Sequence, residues 1–78
     1  MARPAKHSLT LRGHRTSVSL EPAFWDAFRE IAAEEGRALN ALAAEIDERR
    51  GEASGLAGAI RVFVLDWYRR RAGARLSR

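Results

Sequence analysis

Within residues 15–21, polar and apolar residues alternate strictly. Thr16, Val18 and Leu20 fall on one face and small polar or basic side chains on the other, which is the pattern of a half-buried β-strand. Pro22 follows directly, and a proline suits the first turn of a helix but not a continuing strand. The pattern therefore predicts a strand over 15–21 that leads straight into a helix.

Three longer segments carry apolar residues at the spacing of one helical face. They are predicted as helices at residues 22–35, 39–50 and 55–71. Gly36 follows the first of them, as glycine does just past a helix end, and Gly51 begins a turn-rich break before the third. The sequence thus predicts a mainly α-helical chain in which one β-strand precedes about three helices.

The two ends of the chain lack this periodicity and are basic. Residues 1–8 include Pro4 and are interpreted as a flexible basic arm, and residues 72–78 as a basic tail. Residues 9–71 form one domain, since a chain of 78 residues allows only one. A domain this small buries little of its surface, so association with further copies is expected on size alone.

The predicted strand needs a hydrogen-bonding mate, because a lone strand is not stable in water. The simplest mate is the same strand of a second copy, related by a two-fold axis. Such an antiparallel ribbon would bury Val18 and Leu20 of both copies. It would present Arg15, Ser17 and Ser19 twice on its open face.

Another possible mate lies within the same chain. Residues 8–12 alternate weakly, with Leu9 and Leu11 on one side, so a hairpin with residues 16–20 stays open. Its loop, residues 13–15, would then take up the arginine that the open face needs. The sequence favours the second copy as the mate and leaves undecided whether 8–12 extends the ribbon.

Charge is distributed unevenly along the chain, beneath a net charge of +4. Residues 1–20 carry four Lys or Arg and no acid, residues 21–53 carry four Arg against nine acids, and residues 54–78 carry six Arg against Asp66 alone. This layout is typical of a protein that turns one basic face towards a polyphosphate. A two-stranded ribbon also has the width of a DNA major groove, so the sequence favours double-stranded DNA as the partner.

Several classes of function lack the residues that they need. The chain has no cysteine, which excludes disulfides, thiolate metal sites and thiol catalysis. His7 and His14 have no clustered carboxylates beside them, and no nucleophile–base arrangement is present, so we expect no metal, no cofactor and no enzymatic activity. No apolar run reaches the roughly 18 residues of a membrane span, and we expect a cytoplasmic protein.

Several runs of the sequence resemble the ribbon-helix-helix proteins, the Arc/MetJ type of dimeric DNA-binding repressor. Residues 16–22, followed by helices, carry the general resemblance, and residues 13–25, 39–42, 45–47 and 59–65 resemble a bacterial subfamily of small stand-alone domains. The resemblance implies a ribbon-helix-helix homodimer that regulates transcription and is associated with the nucleoid when it is bound to DNA.

The resemblance covers roughly residues 9–71 and also implies which residues touch DNA. Arg15, Ser17 and Ser19 would contact bases, since arginine can donate two hydrogen bonds to guanine and serine can donate or accept. The start of the last helix would bind a phosphate through its free backbone N–H groups. The phosphate contacts that we predict are Ser54, Gly55, Leu56, Arg12 and His14.

Beneath the ribbon, the two copies would share one hydrophobic core. The residues predicted for this dimer core are Val18, Leu20, Phe24, Phe28, Ile60, Phe63, Val64 and Trp67. The family pattern has only two helices, so one of the three predicted here is extra. We favour 39–50 as an insertion and 55–71 as the second family helix; the reverse assignment stays open.

An alternative function belongs to another class. An antitoxin, or another protein-interaction module of the same fold, would bind a protein partner and not act chiefly on DNA. A neighbouring toxin-like reading frame or a stable co-purifying partner would favour the antitoxin. Charge reversal at Arg15 separates DNA binding from a dimer that has kept the fold but lost DNA binding, in which the acidic helix over 39–52 docks a partner.

Overall fold

The structure is a computed structural model, and it describes residues 3–51 and 54–76. Its elements are β1 (Ala5–Leu11), β2 (His14–Leu20), α1 (Pro22–Glu34), α2 (Leu39–Arg49) and α3 (Leu56–Leu76). The two strands pair as an antiparallel sheet, and the three helices pack against one face of it. The described chain is thus a two-stranded hairpin on a small helical layer.

A two-residue turn joins the strands. Leu11 pairs with His14, so only Arg12 and Gly13 lie between the strands, with φ angles of 53° and 82°. Two consecutive positive φ values define the turn whose twist matches that of an antiparallel hairpin, and glycine is favoured at its second position. The turn therefore sets a register in which Leu9 faces Thr16 and His7 faces Val18.

The expectation that each chain contributes a single strand, with no mate of its own, is wrong. Residues 5–11 form β1 and pair with β2 of the same chain, so the segment interpreted as a flexible arm over 1–8 is a strand from Ala5 onwards. The error lay in the loop, which is 12–13 and not 13–15. With the shorter loop Arg15 stays in the strand, and the objection to a hairpin disappears.

The core lies between the inner face of the hairpin and the helices. It is built from Leu9, Val18, Leu20, Phe28, Ile31, Ala32, Leu42, Ala43, Ile46, Ile60 and Val64, all of which are buried. Leu9 comes from the strand that alternates only weakly in sequence, and Thr16, which was expected on the buried face, is exposed. Each fully buried large side chain of this kind contributes about 1.5–3 kcal/mol, so both strands are held to the helices.

The helices differ from their predicted bounds mainly at the end of α3. Both α1 and α2 end one residue earlier than predicted, whereas α3 begins at Leu56 and continues to Leu76, through much of the predicted tail. Arg71 donates a hydrogen bond to Glu34 at 2.6 Å, and its guanidinium lies 4.6 Å from the centre of the Trp67 ring. The hydrogen bond to Glu34 holds this turn of α3 against the end of α1.

Replacing Gly13 by alanine is expected to destabilise the hairpin. No atom lies within 4 Å of an added Cβ, but the φ angle of 82° is one that side-chain-bearing residues rarely adopt, and the strain is about 1–2 kcal/mol. Urea unfolding should therefore show a lower midpoint with an unchanged slope. The matched change at the exposed, unstrained Gly51 should not lower the midpoint.

Candidate nucleic-acid interface

The outer face of the hairpin carries six exposed side chains in two rows. They form three cross-strand pairs, Lys6 with Ser19, Ser8 with Ser17, and Thr10 with Arg15. Four of the six are small hydroxyl side chains, two are cations, and none is an acid. We call this surface the ribbon face.

The chemistry of the ribbon face suits the edges of base pairs. Arg15 can donate two hydrogen bonds to O6 and N7 of a guanine, and the hydroxyls of Ser17 and Ser19 can each donate or accept. Because all three side chains stand on alternate positions of one strand, they point the same way and are spaced about 7 Å apart. The three residues predicted to contact bases therefore do share one exposed face.

The two cations of the ribbon face are available for a ligand. Within residues 3–51 and 54–76, neither Lys6 nor Arg15 makes an ion pair or a hydrogen bond through its side chain. Most other arginines of the described chain are engaged, for example Arg37 with Glu45 at 2.9 Å. The positive charge of this face is thus not neutralised by the protein itself.

Two contacts fix the hairpin to α2. The backbone N–H of Thr10 donates to Oδ1 of Asn40 at 3.1 Å, and Arg12 in the turn forms an ion pair with Glu48. The side chain of Asn40 thus satisfies a backbone donor on the outer edge of β1. The ribbon face is therefore presented on a supported strand pair.

The base of β1 is held by an aromatic contact. The ring of His7 stacks on that of Trp25, with centroids 4.0 Å apart and planes within 7°. Because His7 points inwards, its neighbour Lys6 points outwards on the ribbon face. This packing gives the lysine a defined backbone position, which a flexible arm would not.

The free edge of the hairpin is that of β2. Next to a two-residue turn the flanking residues exchange hydrogen bonds, and such pairs then recur at every second position. The N–H and C=O groups of His14, Thr16 and Val18 are thus used inside the hairpin, while those of Arg15 and Ser17 point away from it. Among the described residues no hydrogen bond reaches this edge, so it is open to another strand.

Three of the five residues predicted to hold phosphate lie near the turn, but carboxylates lie beside them. Arg12, His14 and Leu56 line one cleft of about 330 Å³ together with Asp47 and Glu48. Glu48 pairs with Arg12, so a phosphate would have to displace this carboxylate from the guanidinium. The cleft is less suited to an anion than the ribbon face.

Ser54 and Gly55 precede α3 and are exposed. The backbone carbonyl of Ser54 accepts a hydrogen bond from Arg50 at 2.6 Å, and that of Gly55 accepts from the N–H of Ala59 at 3.0 Å. Leu56 is the first residue of α3. The predicted phosphate-binding segment is therefore at the start of the helix, as expected from the sequence.

At the far end of the hairpin, an ion pair joins the end of β2 to α3. Nε of Arg61 donates to Glu21 at 2.9 Å, and this hydrogen bond is the main reason that the pKa of Glu21 lies below its ordinary value of 4.5. A lowered carboxyl pKa stabilises the fold above that ordinary value, and the contribution is lost as the pH falls through the lower, folded-state pKa. The pair orients the junction between the ribbon and α1.

The eight residues predicted for a shared dimer core lie in the core of a single chain. Five are buried (Val18, Leu20, Phe28, Ile60 and Val64) and three are half-buried against them (Phe24, Phe63 and Trp67). The sequence thus identified core residues, but the described chain brings them together without a second copy.

Sequence reasoning did not place Lys6, Ser8 and Thr10 on the ribbon face, which is the half of it that β1 supplies. A signal was present, since polar residues alternate with His7, Leu9 and Leu11 up to the glycine of the turn. That alternation is weakened by His7, which points inwards because its ring stacks on Trp25 of α1. This contact is visible only in the folded chain.

Two other properties bear on the kind of site. No helix within residues 3–51 and 54–76 is long and apolar enough to cross a membrane. Over the same described ranges, His, Asp and Glu side chains nowhere gather in a group of three that could hold a metal ion.

Comparison with known proteins gives one match. A family model described as a ribbon-helix-helix domain matches residues 4–68, a span that includes both strands, α1, α2 and α3 as far as residue 68. Neither the curated proteins nor the solved structures contain a significant match.

Proposed function

Because the chain belongs to the ribbon-helix-helix family, whose members are commonly DNA-binding regulators of transcription, we propose that it is a dimeric regulator that binds double-stranded DNA in a sequence-specific way. The observation that supports this most directly is the ribbon face, which is exposed, hydroxyl-rich and basic, and which contains no acid. Bound at an operator in the bacterial cytoplasm, such a protein would act as a repressor by occupying the promoter.

The proposed dimer forms through the open edge of β2. Its outward backbone groups belong to Arg15, Ser17 and Ser19, which are symmetric about Ser17. A two-fold axis at Ser17 therefore pairs Ser17 with Ser17 of the second copy, and Arg15 with Ser19 of the second copy, in an antiparallel ladder. The intermolecular ribbon expected from the sequence is thus proposed as the central pair of a four-stranded sheet, β1–β2–β2–β1.

The central pair is the part that enters the major groove. Neighbouring strands lie about 4.8 Å apart, so the two β2 strands fit within a groove about 12 Å wide. In the proposed register both copies of Ser17 lie at the middle of the central pair, and the two Arg15 side chains lie about 14 Å apart along it. Two-fold symmetry then predicts an operator with palindromic half-sites.

Additional phosphate contacts are proposed at the turn end of the sheet. Gly55 and Leu56 offer free N–H groups at the α3 start, and Ser54, whose own N–H donates to Gly51, offers its hydroxyl. Arg12 and His14 lie along the cleft that Leu56 also lines. We also keep α2 as the insertion and α3 as the second family helix, since the α3 start lies beside the ribbon's turn.

The proposed function is tested by selection of duplexes from a random pool with the purified protein. We expect one enriched, palindromic sequence that contains guanines at symmetric positions. The outcome that contradicts the proposal is an absence of enrichment, with binding at low salt no stronger than that of a basic control protein of similar charge such as lysozyme.

A second candidate function is binding of a protein partner, as an antitoxin or another interaction module does. It is favoured by the face of α3 that points away from the core, where the large apolar side chains of Val62 and Leu65 are 59% and 53% exposed. These two residues lie on the opposite side of the helix from the buried Ile60 and Val64. The ribbon face has no role in this alternative.

A further inference from the structure

The width of the proposed four-stranded sheet decides where its outer strands lie on DNA. Three strand spacings of about 4.8 Å separate the two β1 strands by about 14 Å, which exceeds the roughly 12 Å of the major groove. The central β2 strands can therefore enter while the β1 strands cannot. Side chains on the ribbon face of β1 are placed over the two rims of the groove, where the phosphates are.

We propose that Lys6 of each copy binds a backbone phosphate at a rim of the groove, so that the two β1 strands grip the duplex while Arg15 contacts bases. This inference rests on the proposed function and assigns a separate role to β1. Lys6 would then contribute affinity that does not depend on the DNA sequence, and Arg15 would contribute specificity.

Several features of Lys6 fit this role. It is exposed on the ribbon face and forms no ion pair among the described residues. An ammonium on a flexible stem acts as a point charge that suits a phosphate, whereas a base edge is better matched by the planar fork of arginine. Lys6 is also the cross-strand neighbour of Ser19, which the proposed register pairs with Arg15 of the second copy.

The same row of the dimer thus places both kinds of cation in line across the sheet. From one rim to the other it contains Lys6, Ser19, then Arg15 and Thr10 of the second copy. The hydroxyl of Thr10 faces the opposite rim, and its backbone is anchored by Asn40. Each of the two symmetry-related rows therefore places Lys6 of one copy at one rim of the groove and Thr10 of the other copy at the opposite rim.

Lys6 is also better placed for a phosphate than the cation in the turn. Arg12 already pairs with Glu48, and any anion that approaches it meets a carboxylate. No acid lies on the ribbon face near Lys6. Moreover, the stack of His7 on Trp25 fixes the backbone next to the lysine, which reduces the entropy lost on binding.

The salt dependence of binding tests this inference. Each phosphate contact contributes about 0.9 to the slope of log K against log salt, so K6Q, which removes two contacts per dimer, should make the slope shallower by about 1.8. The selected sequence should be the same as for the wild-type protein, because Lys6 contacts no base. R29Q is the matched control, since Arg29 lies on the exposed side of α1 with Asp26 and Glu30; it should leave the slope unchanged.

The outcomes separate this inference from the proposed function. If the wild-type protein selects a sequence but K6Q has the wild-type slope of log K against log salt, the phosphate contact of Lys6 is refuted while the DNA-binding function stands. If K6Q changes the selected sequence, Lys6 contacts a base, and its assignment to a phosphate is likewise refuted. If the wild-type protein selects no sequence, the proposed function itself fails.

Discussion

Replacing Arg15 by glutamine is expected to abolish most of the discrimination between the operator and unrelated DNA. A bidentate contact between arginine and guanine contributes about 1–3 kcal/mol to base discrimination, and the dimer makes two of them. Affinity for the selected duplex should therefore fall by a factor between about 30 and about 20,000, at 1.4 kcal/mol for each tenfold change. Affinity for a scrambled duplex should fall much less.

The comparison is made by fluorescence anisotropy at one fixed salt concentration, because affinities at different ionic strengths are not comparable. R29Q carries the same change of charge on the exposed side of α1 and should bind both duplexes as the wild-type protein does. An equal loss on both duplexes for R15Q would place Arg15 on a phosphate and contradict its role in base contact. Wild-type behaviour of R15Q would favour the protein-interaction alternative.

The second large effect is expected from proline at Ser17. Proline has no N–H, so S17P removes both hydrogen bonds of the proposed Ser17–Ser17 pair and places a ring in the interface. Two such bonds contribute about 1 kcal/mol each, and the dimer dissociation constant should rise at least about 30-fold. Proline is tolerated at an outward-facing position of an edge strand, so the hairpin of each copy should remain folded.

Ser8 provides a matched control for this substitution. It is the cross-strand partner of Ser17, and its backbone N–H points to the opposite edge of the hairpin, away from the proposed interface. In sedimentation equilibrium, S8P should associate as the wild-type protein does, whereas S17P should be monomeric with an unchanged circular dichroism spectrum. Equal association of S17P and wild type would rule out the β2 edge as the dimer interface.

The apolar pattern of the sequence was sufficient to find most of the core. Phe28 and Ile31 lie at helical spacing in the first predicted helix, Ile60 lies on the apolar side of the third, and Val18 and Leu20 lie at strand spacing. Burial could therefore be inferred residue by residue. All five are buried in the structure. Periodicity could identify them because it depends only on which side chains share a face.

Strand pairing was harder to infer, because it depends on a turn that only two residues define. Arg12 adopts a φ angle of 53°, which is uncommon for a residue other than glycine, and no local signal at that position indicated it. The loop considered for a hairpin therefore began one residue too late and was one residue too long. That misplacement hid β1 and with it half of the ribbon face.

The candidate site was inferred to a lesser extent than the core. The shared face of Arg15, Ser17 and Ser19 follows from alternation alone. The neutralisation of Arg12 by Glu48 and the anchoring of Thr10 by Asn40 do not, since both join residues that are more than 25 positions apart in the chain. Contacts of this kind depend on how α2 packs beside β1.

Amide hydrogen exchange at Ser17 and Ser8 tests the proposed dimer most directly. The two N–H groups belong to facing residues of one hairpin, but in the proposed dimer only that of Ser17 is bonded to the second copy. Protection of the Ser17 amide should rise with protein concentration, while the Ser8 amide exchanges rapidly throughout. If Ser17 exchanges as fast as Ser8 at every concentration, the strands do not pair between copies and the proposed DNA-binding ribbon does not form.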